Sequence, residues 1–272
     1  MPSYQKAAPG EPFAAFARLE AIDVVLVSPR NPLNIGAAAR AMANFGFRQL
    51  AVVTPFAEGW REARSAVGAP DLLRDATEAG SLVEAVSRCS LVVGTGSLEY
   101  RKPEQPVIPL PELGPLVAQE LERGGRVALV FGPENHGLSR EELSYCHCMV
   151  SIPTDERQPS MNLGQAVAVC LYELSVRGMF LEENQSAKAE APVSEPLRGV
   201  PAASSGSLEL LAGVIEETMT AAKYSPAGMQ QANRHDLRLL LRRLGPGERE
   251  VRRILGVFRR ILWTLRKSNN AE

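Results

Sequence analysis

The sequence predicts an α/β fold, a parallel sheet with helices on both faces, followed by a small all-helical unit. Three observations carry this expectation. Five short apolar runs, at 23–27, 49–54, 91–93, 127–131 and 149–152, alternate with segments of helical periodicity. The most complete run, 127–131, is apolar at every position, as a strand buried on both faces requires. From residue 207 onward the apolar residues recur at helical spacing alone.

Taken in order, residues 1–20 carry Pro, Ala and Gly without sustained periodicity and are expected to form a loosely ordered extension. The strand at 23–27 is broken by Pro29, Asn31 and Pro32, and the alanine-rich stretch 35–45 reads as a helix ended by Gly46. A second strand, 49–54, is followed by helical patterns at 61–66 and 82–87. The run at 91–93 ends in Gly94-Thr95-Gly96-Ser97, and a helix at 113–123 precedes the strand at 127–131. That strand stops at Gly132. Pro133 prevents its continuation, Gly137 permits a positive φ, and Ser139 with Glu142 three residues later forms a capping box that opens a short helix. The run at 149–152 meets Pro153 and a polar loop, then an apolar helix at 163–181. These features group into one α/β domain over 21–182, a linker over 183–206 rich in Ala, Pro, Ser and Glu, and a helical extension over 207–272. Three amphipathic helices are expected there, the last with Val251, Ile254, Leu255, Phe258, Ile261, Leu262 and Leu265 on one face.

The net charge of −1 conceals an asymmetry. Residues 207–272 hold 12 Lys/Arg against 7 Asp/Glu, whereas the rest of the chain holds 18 against 24. Eight arginines, Arg238, Arg242, Arg243, Arg252, Arg253, Arg259, Arg260 and Arg266, are expected to crowd the polar faces of the helices, a surface suited to a phosphate backbone. Four cysteines in 272 residues imply no disulfide framework, and no signal peptide or membrane-spanning run is apparent, so a reducing cytoplasm is expected. Cys146-His147-Cys148 lacks both the spacing and the second ligand pair of a structural zinc site, and no metal is expected. Gly132 and Gly137 have the spacing of a phosphate-binding loop, but Leu138 stands where its lysine belongs. Gly94 and Gly96 lack the third glycine of a dinucleotide fingerprint, Glu99 occupying that place.

Three separated motifs remain: NPLNIGAAARAM at 31–42, FGPENHGLS at 131–139 and IPTDERQPSMNLGQAVAV at 152–169. In this order and spacing they resemble the SPOUT superfamily of RNA methyltransferases, and within it the TrmH-type 2′-O-ribose methyltransferases. With a linker and a helical extension behind the α/β domain, the chain is similar to the TrmJ-type tRNA enzymes that act on cytidine or uridine 32. The resemblance implies a C-terminal trefoil knot in the α/β domain, S-adenosyl-L-methionine as cofactor and a homodimer. It maps cofactor binding onto Thr95, Gly96, Ser97, Gly132, Ile152, Pro159, Ser160 and Met161. It places the catalytic arginine at Arg40, with Asn34 binding phosphate or ribose, Glu134 and Asn162 organising the loops and placing the RNA, and Ser160 hydrogen-bonding the target nucleotide. Asn34 has a simpler reading as a helix N-cap. The substrate implied is tRNA, nucleotide 32 of the anticodon loop, with the wobble position or ribosomal RNA as alternatives. FGPE with Pro133, where TrmJ-type enzymes often carry FGRE, leaves the nucleotide open. A non-catalytic RNA-binding module that keeps the fold is the rival in kind.

Overall fold

The computed structural model describes residues 18–96, 103–188, 202–224 and 228–269, with side chains in the long helix at 163–188 described as far as residue 175. Residues 1–17 of the expected extension, 189–201 of the expected linker, and Ser97 lie outside the described residues.

The chain runs β1 (Ile22–Val27), α1 (Pro32–Asn44), β2 (Gln49–Val53), α2 (Pro70–Asp75), β3 (Thr77–Ala79), α3 (Leu82–Val86), β4 (Leu91–Thr95), β5 (Val107–Pro109), α4 (Leu110–Glu122), β6 (Val127–Phe131), α5 (Arg140–Leu143), β7 (Cys148–Ser151) and α6 (Leu163–Lys188). Three helices follow: α7 (Ser205–Ala221), α8 (Gln230–Leu244) and α9 (Glu248–Asn269). The strands form one sheet in the order β3-β2-β1-β6-β4-β7-β5, every pair parallel. The parallel sheet covered on both faces, with a helical unit behind it, is therefore what the sequence led us to expect.

Alternation along each strand explains the two layers. Val24, Leu26, Val52, Val93, Leu129, Phe131 and Val150 face one side and bury Ile35, Ala38 and Met42 of α1, Leu113 and Val117 of α4, and Val167, Cys170, Leu171 and Leu174 of α6. Their neighbours Val25, Val27, Val53, Val92, Ala128 and Val130 face the other side, against Leu82 and Val86 of α3 and Leu138, Leu143, Tyr145 and Cys146. Helices α1 and α6 cross closely because Gly164 has no side chain; a Cβ there would lie 2.7 Å from that of Ala37.

Two expectations need correction. The helix at 61–66 is a single 3-10 turn, Trp60–Glu62. Trp60 is fully buried and Arg61 turns back to donate to the carbonyls of Leu73 and Ala76 at 2.9 and 3.0 Å, so tertiary contacts override the local periodicity. The eight arginines named above do not all face solvent. Arg238 and Arg242 are buried, 7% and 6% exposed, between α7 and the end of α5. Glu209 accepts from Arg238 Nε at 2.9 Å and from Arg242 Nη2 at 3.2 Å, Arg242 Nε donates to the Tyr145 carbonyl at 3.0 Å, and the Arg238 guanidinium lies 4.1 Å from the Tyr145 ring centroid. These two arginines dock the helical unit onto the sheet domain. Because one carboxylate serves two buried cations, Glu209→Ala is expected to lower unfolding stability by about 3–5 kcal/mol. Denaturant titration checks this, and a change below 1 kcal/mol, roughly the worth of an exposed pair, would contradict the buried-cluster account.

Candidate active site

The loops at the carboxyl ends of β1, β6 and β7 bring the three motifs together. Strand β1 ends beside β6 and hands the chain to α1, whose N-cap is Asn31; its side chain accepts from Leu33 N at 2.9 Å. Asn34 is thus one turn inside the helix and is not its cap. Glu134, three residues beyond β6, reaches this helix start. It accepts from the backbone N–H of Arg30 and of Asn31 at 3.0 and 3.2 Å and from Asn34 Nδ2 at 2.7 Å. Asn34 Oδ1 in turn accepts from Asn162 Nδ2 at 2.8 Å, and Asn162 Oδ1 accepts from Gly164 N at 2.9 Å at the start of α6. One chain of hydrogen bonds therefore links all three loops. Burial by itself raises the Glu134 carboxyl, but its donors from Asn34, Arg30, its own backbone and Asn31 outweigh that and hold it below the usual carboxylate range. Glu134 is an ionised organiser at neutral pH, not a proton donor.

The glycines have separable tasks. At Gly132 a Cβ would fall 2.2 Å from Leu138 N and 2.3 Å from the Gly137 carbonyl carbon, so this position lets the loop fold back on itself. Gly137, at φ 61°, closes the same turn and donates to the Pro133 carbonyl at 2.8 Å. The capping box is present, Ser139 N donating to Glu142 Oε2 at 2.6 Å. At Gly96 a Cβ would meet, among the described residues, Met149 Cε alone, at 3.6 Å. Thr95 turns its hydroxyl into the sheet, donating to the Val130 carbonyl at 3.0 Å.

After β7, Ile152, Pro159 and Met161 are half-buried, Ile152 against the larger core, while Ser160 is exposed. Thr154 Oγ1 donates to the Pro159 carbonyl at 3.2 Å and fastens this loop across its own base. Glycine backbone beside half-exposed apolar side chains suits a planar purine held by backbone hydrogen bonds. Arg40 projects from α1 into solvent, and its side chain makes no ion pair or hydrogen bond among the described residues.

The Cys146-His147-Cys148 segment is structural in geometry. Burial pushes the Cys146 and Cys148 thiols up to about 12 and about 11. His147 Nδ1 accepts the Val92 N–H at 3.0 Å, and burial, with Arg242 nearby, depresses its pKa to about 3. A folded-state value below the ordinary 6.5 means that the unfolded chain binds the extra proton between pH 6.5 and 3, so stability falls as pH falls through that window. The residue as a whole is half-buried, which moderates the effect. Going from pH 7 to 5 is expected to cost about 1 kcal/mol from this residue. Thermal unfolding across that range should show a flatter pH slope for His147→Asn, whose Oδ1 can replace the ring acceptor. An unchanged slope would contradict the assignment.

What sequence reasoning missed was the direct bonding of Asn34, Glu134 and Asn162, residues 100 and 128 positions apart. Their recurrence in three strand-end loops was the available signal.

Comparison with known proteins follows the same outline. The family model described as the SpoU rRNA Methylase family matches residues 21–172. A Pseudomonas aeruginosa (strain UCBPP-PA14) protein, tRNA (cytidine/uridine/adenosine-2′-O-)-methyltransferase TrmJ, is 39% identical over 203 residues, 74% of this chain and 78% of its own length. The tRNA (cytidine/uridine-2′-O-)-methyltransferase TrmJ of Yersinia pestis (strain Pestoides F) is 34% identical over 252 residues, 92% of this chain and 93% of that one. Among solved structures, TrmJ from Z. mobilis ZM4 superposes with a TM-score of 0.72 at 28% identity, over 88% of this chain and 98% of that chain.

Proposed function

The chain belongs to the SpoU rRNA methylase family, and we propose accordingly that it is a tRNA 2′-O-methyltransferase that uses S-adenosyl-L-methionine and acts on nucleotide 32 of the anticodon loop. The observation that carries the reading is the hydrogen-bonded union of the three motif loops through Glu134, Asn34 and Asn162. The likeness to TrmJ proteins along nearly the whole chain, helical extension included, supports tRNA over ribosomal RNA.

When bound, S-adenosyl-L-methionine supplies an electrophilic methyl group on sulfur. The backbone of Thr95, Gly96 and Gly132, with Ile152, Pro159, Ser160 and Met161, would hold it, together with Ser97, which lies outside the described residues. Arg40 clamps a phosphate next to the target ribose and stabilises the negative charge that develops on the 2′ oxygen. A guanidinium stays protonated in proteins, so the hydroxyl proton passes to a phosphate oxygen or water. Asn34 and Glu134 keep the start of α1, and hence Arg40, in register with the donor loops. Most of the rate gain is alignment and electrostatics.

The domain division of 21–182, 183–206 and 207–272 belongs to the same reading, with the last segment binding RNA. It is supported by α9, along which Arg249, Arg252, Arg253, Arg259, Arg260 and Lys267 are exposed, with Arg260 and Lys267 4.4 and 5.5 Å from the ring centroid of Trp263, itself 52% exposed. A cationic track with an aromatic ring suits an RNA backbone and an unstacked base. We also assign a homodimer with composite active sites. Tyr172 of α6 and Leu33 of α1, 55% and 53% exposed on adjoining helices, support a subunit face there. The trefoil knot is part of this proposal, supported by the insertion of β7 between β4 and β5. No described helix is long and apolar enough to cross a membrane; a cytoplasmic location belongs to the same proposal and is supported by the proposed tRNA substrate.

Transfer of labelled methyl to unmodified tRNA transcripts, followed by nuclease mapping, tests the reading. One 2′-O-methyl group at nucleotide 32 is the expected product. A methyl at the wobble nucleotide overturns the position alone; methylation only of ribosomal RNA overturns the substrate; failure to bind the donor revives the binding module.

A further inference from the structure

The loops after β1 and β2 hold an arginine against an exposed aromatic ring, and neither residue has a task in the reaction described above. Phe56 is 73% exposed, and the Arg30 guanidinium lies 5.2 Å from its ring centroid. Arg30 makes no ion pair among the described residues. An isolated exposed phenyl ring contributes little to folding, yet this one is held firmly. Phe56 N donates to the Pro29 carbonyl at 3.2 Å, Ser28 N to the Val53 carbonyl at 2.8 Å and Thr54 N to the Ala79 carbonyl at 3.1 Å. The Ser28 and Thr54 hydroxyls lie 2.9 Å apart, and both residues adopt a positive φ, 44° and 41°, that side chains disfavour. Surrounding structure must hold such a pair of turns in place.

The pair is also continuous with the candidate site. Arg30 N donates to Glu134 Oε2, the carboxylate that orders Asn34, and the next residue caps the helix that carries Arg40. Its neighbours in sequence Thr54, Glu58 and Gly59 are exposed as well, so the ring face is open to solvent. A flat apolar face with a cation beside it fits an unpaired nucleobase and its phosphate.

We propose that Arg30 and Phe56 form a stacking subsite for an unpaired base of the RNA substrate, at a nucleotide neighbouring the target ribose. The subsite rests on the RNA-methylation reading. Phe56 presents its free ring face to the base, and Arg30 stiffens the ring and meets the adjoining phosphate. The subsite thereby favours loops over duplexes, since a paired base cannot turn onto the ring.

The test measures binding of the full chain to a tRNA anticodon hairpin and to versions with one loop nucleotide made abasic, alongside methyl transfer. Phe56→Ala is expected to weaken hairpin binding about tenfold and to raise KM for tRNA similarly, with kcat and donor affinity unchanged, while Phe56→Trp retains binding. One abasic hairpin is expected to bind the wild type as weakly as Phe56→Ala binds the intact hairpin, with no further loss when the two changes are combined. Equal hairpin affinity for wild type and Phe56→Ala overturns the subsite. So does a change of oligomeric state in Phe56→Ala by light scattering, which assigns the ring to a second copy. Hairpin binding that depends on Phe56 without any methyl transfer leaves the subsite standing and removes the catalytic reading. Transfer indifferent to Phe56 does the reverse.

Discussion

Arg40→Ala is expected to lower kcat for methyl transfer about 100- to 1,000-fold, the range seen when one preorganised donor to developing negative charge is removed. Donor affinity and unfolding midpoint should stay at wild-type values, because the side chain is exposed and has no partner among the described residues that its loss would strand. Arg40→Lys separates charge from shape. A lysine keeps the cation but cannot present two parallel N–H groups to a phosphate, so it is expected to recover only part of the rate. Single-turnover transfer with saturating donor reads this directly. Full turnover in the lysine variant would show that the planar clamp is wrong, and a fall in the unfolding midpoint would show that Arg40 is structural.

The second large effect is expected at Gly132. An added methyl would fall 2.2 Å from Leu138 N and 2.3 Å from the Gly137 carbonyl carbon, both backbone atoms that a rotamer change cannot move. In Gly132→Ala the loop must open. It carries Glu134 away from the N–H groups of Arg30 and Asn31 and from Asn34 Nδ2, and it disturbs the backbone assigned to the donor. Loss of transfer by 100-fold or more is expected, with weaker donor binding, whereas overpacking at one loop costs the whole fold only about 1–3 kcal/mol. Calorimetric titration of the donor and denaturant unfolding distinguish the two. Wild-type donor affinity in a folded Gly132→Ala protein would remove Gly132 from the donor site.

These effects centre on elements that differ in how far they could be read beforehand. The run at 127–131 coincides with β6 because its apolar residues occupy both parities, which only a strand in the middle of a covered sheet demands. Ser139 and Glu142 were legible as a capping box because that motif is local. By contrast β3, Thr77–Ala79, and β5, Val107–Pro109, are three-residue edge strands with too few positions to show a period. They exist through pairing with β2 and β7. Helix α6 runs to Lys188, beyond residue 182 where the linker was expected, since a Glu- and Ala-containing stretch is as compatible with helix as with coil. Burial of Arg238 and Arg242 was invisible for a different reason. Arginine composition predicts a solvated face, and partners far apart in sequence, Glu209 and Tyr145 foremost, make their burial tolerable. At the candidate site the residue types and loops were legible, but the bonds among Asn34, Glu134 and Asn162 were not, being tertiary contacts between loops more than a hundred residues apart in sequence.

The central claim is that these three loops build a site for methyl transfer to a ribose oxygen of tRNA. The most direct measurement compares labelled methyl incorporation into an unmodified tRNA transcript with that into the same transcript carrying a single 2′-deoxy nucleotide at position 32. About one methyl per intact transcript and none on the deoxy transcript are expected. Equal incorporation into both, with the label recovered on the same base, would contradict that claim.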